Sequence, residues 1–301
     1  GKENANMVLN RIFNFFRDKE VKVVMPMNEA KHFGYENDGV ENIEELPIDM
    51  ALSIGGDGTL LGIVRRLYER NIPVCGINIG TLGFLADIEL QEIESKLKKI
   101  LEGQYYIEER MMIAGFVKAP GQAERFLGHA INDVVVNKGG GARMLNLGLS
   151  VDHCGVMDYK ADGIIVSTAT GSTAYSLSAG GPIINPKIKV LVLTPICPHT
   201  FNARPMVIDE NDEVCIEMRT PHTDTVATFD GQENFRIPSR AAVIVRKALL
   251  PAKIVKFDDK NYYQTIRTKL LYNAESGSDR YRQTDMGNFF RIVCMVKGIT
   301  S

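Results

Sequence analysis

Ala51-Leu52-Ser53-Ile54-Gly55-Gly56-Asp57-Gly58-Thr59-Leu60-Leu61 decides how the first third of this chain folds. A short apolar run the length of a buried strand breaks on glycines. It resumes as Leu60, Leu61, Val64, Leu67 and Tyr68, the spacing of one helix face. The same alternation extends outward. Leu9, Ile12, Phe13 and Phe16 stand at helical spacing, Val21 to Met25 and Ile72 to Ile77 are strand-like, and Leu90, Ile93, Leu97, Ile100 and Leu101 complete a helix. Alternating strands and helices predict a parallel α/β sheet. From about Tyr105 to Phe257 the pattern becomes short β-branched runs: Ile131 to Val136, Leu145 to Val151, Ile164 to Val166, Val190 to Leu193, Val214 to Met218 and Ala242 to Val245. Turn residues such as Pro120-Gly121, Gly139-Gly140-Gly141 and Asp230-Gly231 separate them, and this half is expected to be all-β, sandwich-like. Tyr262, Tyr263, Ile266 and Leu270 suggest a closing helix.

Composition narrows the class. The 301 residues are 45% hydrophobic and 24% charged, ordinary for a folded protein, and 35 Lys+Arg against 37 Asp+Glu leave a net charge of −2. That balance disfavours a general nucleic-acid binder. No stretch approaches the ~18 consecutive apolar residues of a membrane span, and Gly1 to Asn4 open no signal-peptide core, so a cytoplasmic protein without a membrane partner is expected. Cys75, Cys154, Cys197, Cys215 and Cys294 are scattered without zinc spacing, and read as buried free thiols. The charges of Glu92, Glu94, Lys96, Lys98 and Lys99 read as a solvated helix face.

Three stretches could carry chemistry. In Gly55 to Thr59, glycines let backbone approach a bulky anion and the helix start favours phosphate. A tight turn with Asp57 capping the helix explains the motif equally well. Ser167 to Pro182 crowds small hydroxylated residues between two apolar runs, offering donors and acceptors without bulk, or simply a solvated loop. Asn132-Asp133 in a β-branched strand could hydrogen-bond an adenine edge and ribose hydroxyls; an exposed strand end is the plainer account.

Taken together, Gly55-Gly56-Asp57-Gly58-Thr59, Asn132-Asp133, Asp162-Gly163 and Thr170-Gly171-Ser172-Thr173-Ala174-Tyr175-Ser176-Leu177-Ser178-Ala179-Gly180-Gly181-Pro182, in this order, resemble the NAD kinases. Pro198-His199-Thr200, Ala203-Arg204-Pro205 and Asp230-Gly231-Gln232 extend the resemblance, which covers roughly residues 4 to 271. The glycine–aspartate motif is shared with diacylglycerol, sphingosine and phosphofructokinase enzymes; the Thr-Gly-Ser-Thr-Ala-Tyr block is far more specific. A lipid kinase should also show a membrane-facing apolar patch or basic amphipathic helix, and the sequence has neither. A non-catalytic dinucleotide sensor is the other rival.

The resemblance implies a Rossmann-like α/β domain over 1–104 that binds ATP, an all-β, NAD-binding domain over 105–258, and a C-terminal helix and strand over 259–301 returning to the α/β domain. It implies transfer of the γ-phosphoryl of ATP to the 2′-hydroxyl of the adenosine ribose of NAD, with Mg2+ accompanying ATP and no metal ligands assigned. Asp57 would be the general base, and Gly55, Gly56, Gly58 and Thr59 would hold phosphates. NAD would meet Asp57, Gly58, Asn132, Asp133, Asp162, Thr173, Ala174, Tyr175, Ser176, Leu177 and Ser178, with further contacts from Arg143, Lys160 and Gln232. A homodimer or homotetramer is implied. Three departures stand out: Asp133 where the family commonly has Glu, Lys160 where Arg is frequent, and Gly62 where many members carry a basic or histidine side chain.

A doubly wound domain should start with a strand, whereas this chain starts with a helix pattern. The run Phe290 to Val296, entered through Met286-Gly287-Asn288 and followed by the loop-like Lys297 to Ser301, reads as the missing strand. A rearranged or circularly permuted chain is therefore expected.

Overall fold

The computed structural model describes residues 2–80, 83–140, 143–199, 202–219, 224–272 and 292–297. They divide into two compact units, one from 1–109 and 253–301, the other from 110–252.

The first unit is mixed α/β. Its sheet runs in the order Gly39–Val40, Val21–Pro26, Ile292–Lys297, Met50–Gly55, Val74–Asn78, Ala252–Lys256, Tyr106–Arg110, with Ile88–Glu89 beside Val74–Asn78. Continuous apolar runs form the middle strands because both faces are covered: Met50–Gly55 and Val74–Asn78 are buried throughout. On helix Lys2–Phe16 the buried residues are Ala5, Val8, Leu9, Ile12 and Phe16, one stripe of its surface. Val8, Leu9, Ile12 and Phe16 share a core with Leu52, Ile54, Ile77, Leu97 and Val255, where each large aliphatic side chain contributes roughly 1.5–3 kcal/mol. Tyr106–Arg110 and Ala252–Lys256, which lead out of this sheet and back, lie side by side at its edge. Both were assigned to the all-β half from sequence; their pairing puts them in the first sheet.

The strand Ile292–Lys297 lies between Val21–Pro26 and Met50–Gly55 and runs antiparallel to both. The strand thus takes a place inside the α/β sheet, and only its antiparallel direction differs from the parallel one that a relocated first strand would keep. An apolar run such as Ile-Val-Cys-Met specifies burial, and it pairs in either direction. Phe290, Arg291, the Met286–Asn288 stretch and residues 298–301 lie outside the described residues. Helix Met27–Phe33, entered from Pro26, shows no long apolar periodicity and is legible only in the structure. Lys96 is buried, contrary to the solvated-face reading, and its ammonium donates to Asp259 at 2.6 Å.

The second unit holds two six-stranded antiparallel sheets. One runs Cys154–Ala161, Leu145–Val151, Val214–Met218, Ala242–Lys247, Ile113–Lys118, Arg125–Ala130. The other runs Met206–Asp209, Val190–Ile196, Gly163–Thr168, Asp133–Lys138, Thr225–Phe229, Glu233–Arg236. Inward residues of both, such as Leu147, Leu149, Val134, Val136, Ile164 and Leu193, form one cluster. Two helical turns, Gly171–Thr173 and Tyr175–Ser178, interrupt the β pattern. Of the cysteines, Cys75 and Cys294 are buried, Cys215 is half-buried, and Cys154 and Cys197 are exposed, which corrects the reading of all five as core thiols. Among the described residues no helix is long and apolar enough to cross a membrane.

Candidate functional site

In the first unit the buried strand Met50–Gly55 ends on the glycines, and helix Asp57–Arg66 starts at once, anchored by Leu60, Leu61, Ile63 and Val64. Gly56 is the N-cap and no side chain caps it, so Asp57 is not the cap that its position suggested. Its half-exposed carboxylate turns instead to a distant loop. Oδ2 accepts the Phe84 N–H at 2.6 Å; Oδ1 accepts those of Leu85 at 3.1 Å and Ala86 at 3.2 Å. Three of the about four lone-pair positions of a carboxylate are thereby taken, and one stays open on Oδ2.

The loop is held from its other side. The Lys256 ammonium donates to the Leu85 carbonyl at 3.0 Å and to the Asp87 carboxylate at 2.8 Å, while Asp87 also accepts the Phe257 N–H at 3.1 Å. Lys256 and Asp87 are both buried. A buried ion pair whose remaining polar atoms are bonded fixes geometry more than it adds stability. Here it fixes the amides that aim Asp57. Gly83 completes the fit, because a Cβ there would sit 2.5 Å from Asp57 Cγ and closer still to Oδ1.

In the second unit, strand Asp133–Lys138 begins one residue after Asn132, so the polar pair sits at the strand's start and not within it. The Asp230 carboxylate accepts the N–H groups of Ile131 at 3.2 Å, Asn132 at 2.7 Å and Asp133 at 3.3 Å. The Ser/Thr-rich segment is stitched to the same place: Thr168 Oγ1 donates to the Ile131 carbonyl at 2.5 Å and accepts the Gly171 N–H at 3.1 Å. A Cβ at Gly171 would lie 2.6 Å from Asn132 Cα, so only glycine permits this approach.

Burial, with the negative Asp230 beside it, pushes the Asp133 carboxyl up to about 7. An unfolded Asp titrates near ~3.9. Between these values the folded state holds a proton that the unfolded state lacks, so this group's stabilising contribution falls as pH rises from about 4 to about 7. Buried Glu29, raised by burial to about 7, adds the same slope in the first unit. Asp133→Asn is therefore expected to reduce the fall in melting temperature across that range, leaving the Glu29 part. Melting curves recorded against pH check this; an unchanged slope would show that Asp133 does not titrate there.

Tyr175 is exposed, and its phenol is pushed up by partial burial and by the negative fields of Cys197, Asp133 and Asp162. Asp162 pairs with Lys138 at 2.6 Å. The structure thus brings Asn132, Asp133, Asp162 and Tyr175 into one neighbourhood, with Thr173, Ala174 and Leu177 half-buried and Ser178 exposed nearby in sequence. Ser176 turns inward, its hydroxyl 2.9 Å from Thr194 Oγ1, so its side chain serves the fold. Arg143, Lys160 and Gln232 are exposed. Thr200 lies outside the described residues. Sequence reading missed Asp230, Lys138, Lys256, Asp87 and Gly83 as supports. Only Asp230 carried a signal, as the first residue of an Asp-Gly turn; it takes a left-handed φ of 49°.

The sequence matches the ATP-NAD kinase N-terminal domain over residues 4–105 and the ATP-NAD kinase C-terminal domain over 131–257. It is 41% identical to an NAD kinase of Moorella thermoacetica over 274 residues, 91% of this chain and 86% of the relative. An NAD kinase of Clostridium botulinum is 38% identical, covering 91% and 94%. Among solved structures, a yeast NADH kinase complexed with NADH superposes with a TM-score of 0.79 at 23% identity, covering 92% of this chain and 86% of that one; it speaks to the fold alone. An NAD kinase from Archaeoglobus fulgidus in complex with ATP gives 0.63 at 28%, covering 80% and 91%.

Proposed function

Because the chain belongs to the NAD kinase family, we propose that it transfers the γ-phosphoryl group of ATP to the 2′-hydroxyl of the adenosine ribose of NAD, with Asp57 as general base. Phosphoryl transfer asks a protein mainly for alignment and charge neutralisation. A ribose hydroxyl is a very weak acid, so its proton leaves as the phosphorus–oxygen bond forms. The observation that carries the assignment is the pinned Asp57 carboxylate: three backbone N–H groups fix both oxygens and leave one acceptor position on Oδ2.

In this reading Gly55, Gly56, Gly58 and Thr59 hold the phosphates of ATP at the start of helix Asp57–Arg66, where the helix dipole favours anions. Asn132 and Asp133 take the adenine and ribose of NAD, Tyr175 offers an aromatic face, and Asp162 serves the nicotinamide end. Among the described residues no three His, Cys, Asp or Glu side chains converge on a metal position. A divalent ion would accompany the triphosphate of ATP and neutralise part of its charge.

The test is direct. Purified protein supplied with ATP, magnesium and NAD is expected to form NADP, which an NADP-specific dehydrogenase then reduces. Folded protein that binds both nucleotides and yields no such product would overturn the reading.

A further inference from the structure

The glycine turn has an acceptor and no cation of its own: from Ser53 to Gly62 there is no Lys or Arg. A loop that carries Asp57 and receives a triphosphate brings like charges together, at a cost unless a cation stands by. The terminal segment supplies one. After helix Tyr262–Ile266 the chain widens into a π-helical turn, Arg267–Tyr272, which carries Lys269. The Lys269 ammonium lies 4.7 Å from the ring centroid of Phe84. Phe84 is the residue whose N–H holds Asp57 Oδ2 at 2.6 Å, and its ring also lies 6.3 Å from that of Tyr262. The terminal segment therefore packs on the loop that aims Asp57.

Lys269 is half-buried, and among the described residues it makes no ion pair within 4.0 Å. Burial lowers its pKa and the field of Asp57 raises it, the signature of an ammonium held partly out of water within reach of that carboxylate's charge. A cation–π contact alone is a weak return for desolvating a charge. An arriving phosphate would complete the site.

Resting on the reading of this chain as an ATP-dependent NAD kinase, we propose that Lys269 is a catalytic residue that contacts the terminal phosphates of ATP opposite Asp57, supplying the positive charge that the glycine turn lacks.

The experiment compares wild type, Lys269→Met, Lys269→Gln and Lys269→Arg for NADP formation. Met keeps the aliphatic stem on the Phe84 ring and removes only the charge. Loss of about 10- to 100-fold in kcat/KM for ATP is expected in Met and Gln, the worth of a charge-assisted hydrogen bond, with KM for NAD and melting temperature unchanged and with recovery in Arg. Inorganic triphosphate should inhibit both neutral variants less than wild type. Wild-type kcat/KM for ATP in either folded neutral variant would overturn the proposal, as would equal loss in Arg and Met, which marks a packing role. Wild type that makes no NADP would defeat the underlying reading instead. If Met does not fold, Gln carries the test.

Discussion

Gly83→Ala is expected to lower turnover by about 10²-fold while leaving NAD binding intact, the usual consequence of displacing a catalytic group by ~1 Å. The cause is space. Gly83 is buried, and an added methyl would fall 2.5 Å from Asp57 Cγ. Neither side can yield cheaply. Asp57 opens a helix whose next turns are buried, and Lys256 ties the loop by its carbonyls. Relief therefore pulls the Leu85 and Ala86 N–H groups off Oδ1 and re-aims the carboxylate. Overpacking of this kind costs about 1–3 kcal/mol, so a lower melting temperature should accompany the loss. Initial rates of NADP formation, NAD titration calorimetry and melting curves on one preparation check it. Normal turnover in a folded Gly83→Ala protein would mean that the loop does not aim Asp57.

What the sequence could and could not disclose follows from the range of each interaction. Val21–Pro26 and Met50–Gly55 were legible because a short, mostly apolar run bounded by turn residues has a local signature. So was helix Ile93–Leu101, whose buried Ile93, Leu97 and Ile100 recur at helical spacing. Lys96 was misread since its partner, Asp259, lies 163 positions away, and spacing along one helix cannot report such a pair. The same holds for the site. Asp57 stood out by the glycines around it, yet its hydrogen-bond donors stand 27 to 29 residues on, and the lysine that fixes their loop lies about 170 residues beyond them. Gly83 looked like any loop glycine; only the carboxylate packed against it explains why it has no side chain. Strand direction was equally hidden in Ile292–Lys297, since hydrogen bonding along a buried strand is indifferent to local sequence.

Asp57→Asn carries the other large effect. The amide keeps the size of the carboxylate, and its oxygen can still accept the N–H groups of Leu85 and Ala86. Its NH2 must then face the Phe84 N–H, donor against donor, and the open acceptor position on Oδ2 disappears. Both changes remove a proton acceptor from the glycine turn, whereas the Asn132 and Asp133 neighbourhood is built by Asp230 and Thr168, which the substitution does not touch. The worth of a general base is about 10²–10⁴ in rate. The decisive measurement is a single-turnover experiment with both nucleotides saturating, following NADP formation in wild type and Asp57→Asn, with NAD affinity measured on the same samples. The account predicts unchanged NAD affinity and a phosphoryl-transfer rate slower by about 10²-fold or more. A transfer rate near that of wild type, in a folded variant that binds NAD normally, would contradict it.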